Sequence, residues 1–409
     1  MSNENLLVIL GSPAAALVAA AMVALSYGRA LKAQARRAIL LSGTILLGVL
    51  LSLEHLPARR LSALLFLISI GLVFAVFRIA SSRNRERNCR LGVAALLVLF
   101  LGLKWPWLQR TVYGALHIPG KYLLSLGAWL GASYVLFRLI HVLLESRRAG
   151  LPGTRFSDLL LYVLFPSTLI AGPIDRFPDF RRNEEYRRAS FEEVAEGSRR
   201  IVVGIFKKFA VADFLGSLPL DLPHAALSTP RMWASLYVFG FQIFFDFAGY
   251  SDIAIGAARL VGFSIPENFD FPYLRQNITR FWQSWHMTLS GWMRDYVFFP
   301  LGRLVRRRAP GLPSGAAVFG CQAVTMVAIG LWHGLDAAFA AWGLWHGLGL
   351  FAHWKWTRVR RGSRTGPPRA AATAASVFVT FQFVMLGWVF FYGTSLRESG
   401  AILAKLFGR

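Results

Sequence analysis

Of the eight histidines in this 409-residue sequence, one stands where a proton could be moved at membrane depth. His333 lies in Gly330-Leu331-Trp332-His333-Gly334, near the end of a run without Asp, Glu, Lys or Arg, beside a glycine that lets another backbone or a ligand approach. An imidazole, with an ordinary pKa of about 6.5, is suited to taking a proton from a hydroxyl near neutral pH. The plain alternative is a histidine hydrogen-bonded in a helix bundle or at a headgroup boundary beside Trp332, and spacing alone favours it. His286 closes the cluster Phe281-Trp282-Gln283-Ser284-Trp285-His286, between Arg280 and Arg294, where an interfacial histidine in an aromatic belt is the commoner reading. His346 and His353 share a helix face, yet no carboxylate or third histidine completes a metal set, so no metal is expected and both read as structural.

Ionisable groups at bilayer depth are costly and are functional candidates by default. The others here are Asp246 in Phe244-Phe245-Asp246-Phe247, followed by Ser251 and Asp252, and Asp336 just beyond His333. The sequence has no Gly-x-Ser-x-Gly, His-Glu-x-x-His or Gly-x-x-x-x-Gly-Lys-Ser/Thr, which removes the signatures of serine hydrolases, zincins and P-loop enzymes. Two cysteines, Cys89 and Cys321, support neither a disulfide framework nor a Cys-based zinc site.

The elements that must position these residues follow from composition. With 55% hydrophobic and 16% charged residues, the chain belongs in a bilayer. Residues 6–28, 309–335 and 370–396 are free of charged side chains, and each run exceeds the ~20 residues a helix needs to cross. Shorter charge-free runs at 38–53, 61–77, 122–137, 159–174 and 337–354, with 91–108 and 200–218 carrying scattered charges, raise the expectation to about ten or eleven membrane segments. The first run lacks a basic segment before it and reads as a retained helix. The net charge of +24 resides mostly in short loops, where the positive-inside rule and anionic lipid headgroups account for it, so nucleic acid is not an expected partner.

Arginine and lysine counts in the loops place the N-terminus outside and both ends of the 309–354 hairpin in the cytoplasm. The segment 157–174 breaks this alternation, since seven arginines follow it within 175–200. A segment that dips in and returns repairs the topology, and Pro166 and Ala171-Gly172-Pro173 supply the breaks. Residues 281–304 mix tryptophans with Arg294, Asp295 and Arg303 and are expected to form an amphipathic or re-entrant helix on the cytoplasmic side. One membrane domain over 1–409 is the economical reading.

Phe241-Gln-Ile-Phe-Phe-Asp-Phe-Ala-Gly-Tyr-Ser-Asp-Ile-Ala-Ile-Gly256, Pro266-Glu-Asn-Phe269 and Arg280-Phe-Trp-Gln-Ser-Trp-His-Met-Thr-Leu-Ser-Gly-Trp-Met-Arg-Asp-Tyr-Val-Phe-Phe-Pro-Leu-Gly302 together resemble the signature of membrane-bound O-acyltransferases. The likeness is to the bacterial branch that includes the alginate O-acetylation and D-alanyl transfer proteins. Gly330-Leu-Trp-His-Gly334 with Trp342-Gly-Leu-Trp-His-Gly347 resembles the second signature of that branch, and Ala171-Gly-Pro-Ile174 echoes another of its segments. The resemblance implies a family-like core over about 120–395, an all-α polytopic bundle of about ten or eleven transmembrane helices with re-entrant or amphipathic segments around a central tunnel. It further implies an acyl donor entering from the cytoplasm and an acceptor on the far face. His333 then falls on the family's near-invariant membrane histidine and becomes the leading catalytic base, and His286 falls on its second important histidine. Asp246, Ser251, Asp252, Trp285, Arg294, Asp295, Trp332 and Asp336 are the candidate tunnel residues.

The expected activity is transfer of an acyl group, acetyl first, from a cytoplasmic thioester across a bacterial cytoplasmic membrane for O-acylation of an exported polysaccharide. The donor is acetyl-CoA or an acyl or aminoacyl carrier protein; no bound cofactor is expected. Membrane lipids and a periplasmic or extracellular acyl-transfer protein are the expected partners. D-Alanyl transfer to teichoic acid is the alternative within the family, and the chain ends soon after 370–396, where alginate-type members usually carry further helices. A proton-coupled transporter relaying through Asp246, Asp252 and His333 is the alternative from another class; the paired repeats with interrupted helices common in transporters are not found.

Overall fold

A computed structural model describes residues 38–46, 59–105, 107–108, 111, 131–184, 189–218, 228–360, 370–393 and 395–408. The expected first span at 6–28, the arginines and lysine of 29–37 and the orientation of the N-terminus lie outside these residues. All regular structure among the described residues is helical. They form two compact units: one from the residues up to Val203 together with Ser251–Pro266, the other from Gly204–Tyr250 and Glu267–Arg409.

In the first unit, α1 (Arg59–Ala80), α2 (Arg85–Lys104) and α3 (Ala132–Ala149) precede the short helices α4 (Phe156–Val163) and α5 (Phe177–Glu184) and most of α6 (Phe191–Ile205). Apolar residues on α3, among them Leu139, Val142 and Leu143, are fully buried. The stretch 157–174 does not form one continuous helix. α4 stops after eight residues, about 12 Å at 1.5 Å per residue, and a 3-10 turn follows at Pro166–Thr168. Pro166 lacks an N–H and cannot continue the α4 ladder.

The carbonyls this break exposes are met from α3. Arg138 donates through Nη1 to Val163 O (2.8 Å) and Tyr162 O (3.1 Å), and through Nη2 to Thr168 O (2.8 Å) and its hydroxyl. Nε2 of His141, one turn on, accepts from Phe177 N at 3.1 Å. Irregular backbone at depth requires protein partners of this kind. The charge-free run 122–137 ends at the residue that supplies them.

The stretch 200–218, of which the second unit holds the part from Gly204, is not one α-helix: α6 gives way to a π-helical turn at Phe206–Ala212 and then α7 (Asp213–Ser217). α8 (Thr229–Leu260) is 32 residues long, and its part up to Tyr250 belongs here. The expected helix over 281–304 is also divided, into α9 (Ile278–Trp282), α10 (Met287–Met293), a π-helical turn at Arg294–Phe298 and α11 (Phe299–Arg308). The hairpin follows as α12 (Ser314–His333) and α13 (Ala337–Val359), then α14 (Ala370–Tyr392) and α15 (Leu396–Leu406).

Among the described residues, α8, α12 and α14 are long and apolar enough to cross a membrane. A search for charge-free runs passes over α8, because Asp246 and Asp252 interrupt it. Both charges are neutralised within their own units: Asp246 pairs with the buried Lys208, and Asp252 with Arg200 at 2.5 Å. The hairpin arms approach backbone to backbone. A Cβ on Gly330 would fall 2.0 Å from Phe339 O and one on Gly343 2.4 Å from Met326 O, so only hydrogen fits at either position.

Candidate active site

His333 is the last residue of α12, and Gly334 to Asp336 turn the chain into α13. It therefore lies at the bend between the two charge-free runs of the hairpin. Its ring centroid lies 4.4 Å from that of Trp332, 4.8 Å from Phe391 on α14, 5.6 Å from Trp342 and 6.1 Å from Phe339 on α13, the last nearly parallel. Gly334 makes this box possible: a Cβ there would lie 2.6 Å from the Phe339 ring. The group that this glycine admits is thus an aromatic side chain of the same hairpin.

His286 sits between α9 and α10 with φ of 41°, a left-handed backbone that non-glycine residues seldom adopt. Such strain, of order 1–3 kcal/mol, persists where surrounding structure over-determines it and clusters at functional sites. The side chain is 2% exposed. Nδ1 lies 3.3 Å from Asn268 Oδ1, and Nε2 is buried with no hydrogen-bond partner among the described residues. Its ring meets Phe247 of α8 at 4.6 Å and Trp332 at 6.0 Å. Trp332 therefore touches both histidines, and the two leading candidates are brought to one indole from sequence positions 47 residues apart (333 minus 286).

The remaining candidates divide. Trp285 is a core residue, its ring packed on Phe269, Trp388, Phe281 and Tyr273. Asp336 caps α13, Oδ1 accepting from Ala338 N at 2.7 Å. Arg294 is exposed and bonds Asp295 through Nε at 2.9 Å, in the π-helical turn. Asp246 is held by Lys208, while Ser251 and Asp252 are buried in the first unit. His353 meets Thr279 Oγ1 through Nδ1 at 2.9 Å. His346 is buried against Trp342, Trp282, Phe383 and Phe281 with neither ring nitrogen hydrogen-bonded.

Sequence reasoning did not single out Asn268, Phe339, Trp342 and Phe391. Asn268 lies in Pro266-Glu-Asn-Phe269 and Trp342 opens Trp342-Gly-Leu-Trp-His-Gly347, so motifs pointed to both; Phe339 and Phe391 carry no local signal.

This arrangement can do base chemistry in an aromatic surrounding, with one histidine in the box and a second whose Nε2 has no hydrogen-bond partner among the described residues. Residues 122–395 match the model of the membrane-bound O-acyltransferase family. The chain is 30% identical over 365 residues to a teichoic acid D-alanyltransferase of Streptococcus thermophilus, covering 84% of this chain and 85% of that protein. It is 34% identical over 283 residues to a probable alginate O-acetylase of Azotobacter vinelandii, covering 68% and 53%. A peptidoglycan O-acetyltransferase of Helicobacter pylori is 32% identical over 275 residues, covering 65% and 50%. The chain spans about half the length of these two O-acetylating relatives.

Proposed function

Because the chain belongs to the membrane-bound O-acyltransferase family, and is an O-acyltransferase built into a membrane, we propose that it carries an acetyl group from a cytoplasmic thioester to a hydroxyl on the outer side of a bacterial cytoplasmic membrane, for O-acylation of an exported polysaccharide. The observation that carries the reading is the pairing of His333 and His286 on Trp332 at the bend of the hairpin. Loop charge puts both hairpin ends in the cytoplasm, so the bend lies toward the face from which an external acceptor arrives.

In this reading a ring nitrogen of His333 takes the proton of the acceptor hydroxyl as its oxygen attacks the thioester carbonyl. The tetrahedral intermediate collapses with cleavage of the carbon–sulfur bond, and the imidazolium returns the proton to the departing thiolate. Base catalysis of this kind contributes ~10² to 10⁴ in rate, and alignment of donor and acceptor adds more. Arg280, Arg294 and Arg303 are exposed on the segments around α9 to α11 and are available to the phosphates of coenzyme A or phosphopantetheine. Arg294→Glu is expected to raise the donor KM; unchanged donor affinity in folded protein counts against that assignment.

D-Alanyl transfer from a carrier protein is the second reading, favoured by the even coverage of the Streptococcus relative. Acetyl transfer draws support from the resemblance of Pro-Glu-Asn-Phe, Pro-Leu-Gly and the second Trp-His-Gly to alginate-type members, and from the two O-acetylating relatives. The experiment follows labelled acyl groups from acetyl-CoA and from an aminoacyl carrier protein with purified protein and its His333→Ala and His286→Ala variants. Label arriving only from the carrier protein selects the second reading, and undiminished transfer by His333→Ala removes the mechanism.

A further inference from the structure

We propose that Asn268 is a positioning residue that fixes His286 in one tautomer, with the proton on Nδ1 and the free lone pair on Nε2, so that His286 meets the reacting groups as a hydrogen-bond acceptor. This rests on the reading that His286 belongs to the acyl-transfer site.

The assignment follows from which atoms can only donate. Three groups converge on Oδ1 of the fully buried Asn268: the Thr288 hydroxyl at 2.7 Å, His286 Nδ1 at 3.3 Å and Thr288 N at 3.4 Å. A backbone N–H has no lone pair to offer, so the amide atom facing Thr288 N is the oxygen and not the NH₂. An amide oxygen only accepts, and the His286 nitrogen facing the same atom must therefore carry its proton. In the neutral ring the second nitrogen is then unprotonated. That nitrogen is Nε2, buried and without a hydrogen-bond partner among the described residues. The groups packed on the ring, Phe247 from α8, Trp332 from α12 and Asn268 itself, carry no charge that would protonate it.

The backbone is tied in the same way. Asn268 O accepts from Met287 N at 2.9 Å, and Ser284 O accepts from Asp270 N at 3.0 Å. The 268–270 segment thus grips the break between α9 and α10 from both sides and holds His286 in its left-handed conformation. Asn268 supplies one arm of the backbone clamp and the side-chain acceptor as well. Fixed orientation through a hydrogen-bonded neighbour is how a neutral imidazole is made ready to accept a proton or a hydrogen bond.

Two measurements on the full-length protein test this. Nitrogen-15 spectra of histidine-labelled protein, with the His286 signals identified by difference against His286→Gln, are expected to show a protonated Nδ1 and an unprotonated Nε2; a protonated Nε2 in the neutral ring overturns the proposal. In acyl-transfer assays, Asn268→Ala is expected to lower kcat about 10- to 100-fold with donor KM within about twofold. Asn268→Asp places a carboxylate against Nδ1–H and favours the doubly protonated ring, so the acidic limb of its pH profile is expected to move up by about one pH unit. An unmoved limb in folded Asn268→Asp overturns the proposal. Where that variant does not fold, the spectrum of the unsubstituted protein decides. Transfer that proves independent of His333 defeats the proposed function, while the spectrum still reads the tautomer.

Discussion

Arg138 and His286 are both polar side chains almost wholly removed from solvent, and the two units use them in opposite ways. In the first unit Arg138 directs both terminal nitrogens of its guanidinium to the backbone and hydroxyl of a broken segment, and His141 beside it accepts from a backbone N–H. In the second unit His286 is tied by one nitrogen and leaves the other unpaired, and His346, Trp282 and Trp342 add further buried ring nitrogens without partners. Leaving a buried donor or acceptor unmade costs ~1–3 kcal/mol. Arg138 therefore holds backbone together, whereas the second ring nitrogen of His286 stands ready at a stability cost, as a site that must bind and release requires.

His333→Ala gives the largest expected effect on this contrast. Acyl transfer is expected to fall by ~10² to 10⁴, with the thermal midpoint in detergent moving little, because the ring is only partly buried. A large loss of stability with normal transfer per folded molecule would place His333 among the structural residues and erase the distinction.

Arg138→Met is the reciprocal experiment. Removing the guanidinium leaves the carbonyls of Tyr162, Val163 and Thr168 without these donors, and a cost of about 4 kcal/mol is expected from the lost charge-assisted bonds. Folded yield and thermal midpoint should fall, while transfer per folded molecule is retained. Arg200→Ala, which removes the salt-bridge partner from the buried carboxylate of Asp252, should act in the same direction by about 3 kcal/mol.

These two arginines also mark where the sequence stopped being legible. Helical class, the hairpin, the break at Pro166 and the place of His333 at a bend were readable because each rests on a local pattern: a charge-free run, a proline, or a Trp-His-Gly motif. The partners of Arg138, Asp246 and Asp252 were not, since they lie 24 to 30, 38 and 52 residues away and no periodicity encodes them. α8 escaped notice for the same reason: its aspartates look prohibitive in a span until Lys208 and Arg200 are seen against them. The division of 281–304 at His286 was hidden because the left-handed turn is imposed by the Asn268 segment, not by a local glycine.

Asp175 gives a smaller effect with a definite sign. It follows the broken segment, bonds Arg176 N through Oδ1 at 2.7 Å and has a buried Oδ2 without a hydrogen bond. Burial, with Asp179 nearby, pushes its carboxyl up to about 7, against the opposing pull of the Arg176 N–H and the neighbouring guanidinium groups. The raised value means that the folded state favours the protonated form. Its contribution is fully present below the unfolded value of about 4 and is lost as pH rises through 7, with a slope approaching 1.4 kcal/mol per pH unit at most. Midpoints measured across pH 4 to 8 should fall on this account, and Asp175→Asn should flatten that part of the curve. An unaltered curve would show that Asp175 is solvated in the membrane-bound protein.

The smallest expected effect separates neighbouring residues on α6. Arg199 makes two bonds to Glu196, at 2.7 and 2.8 Å, which by geometry alone look as good as the pairing of Arg200 with Asp252. The difference is exposure: the Arg199 and Glu196 side chains are 66% and 35% exposed, against 16% and 11% for Arg200 and Asp252. In water the Coulomb gain of an exposed pair is screened and offset by the entropy of ordering two long side chains. Arg199→Ala should therefore leave the thermal midpoint and transfer rate where they were, under conditions in which Arg200→Ala lowers the midpoint. Equal shifts from both would mean that hydrogen-bond geometry governs stability here regardless of burial, and the weight given to burial at Arg138 and His286 would lose its physical basis.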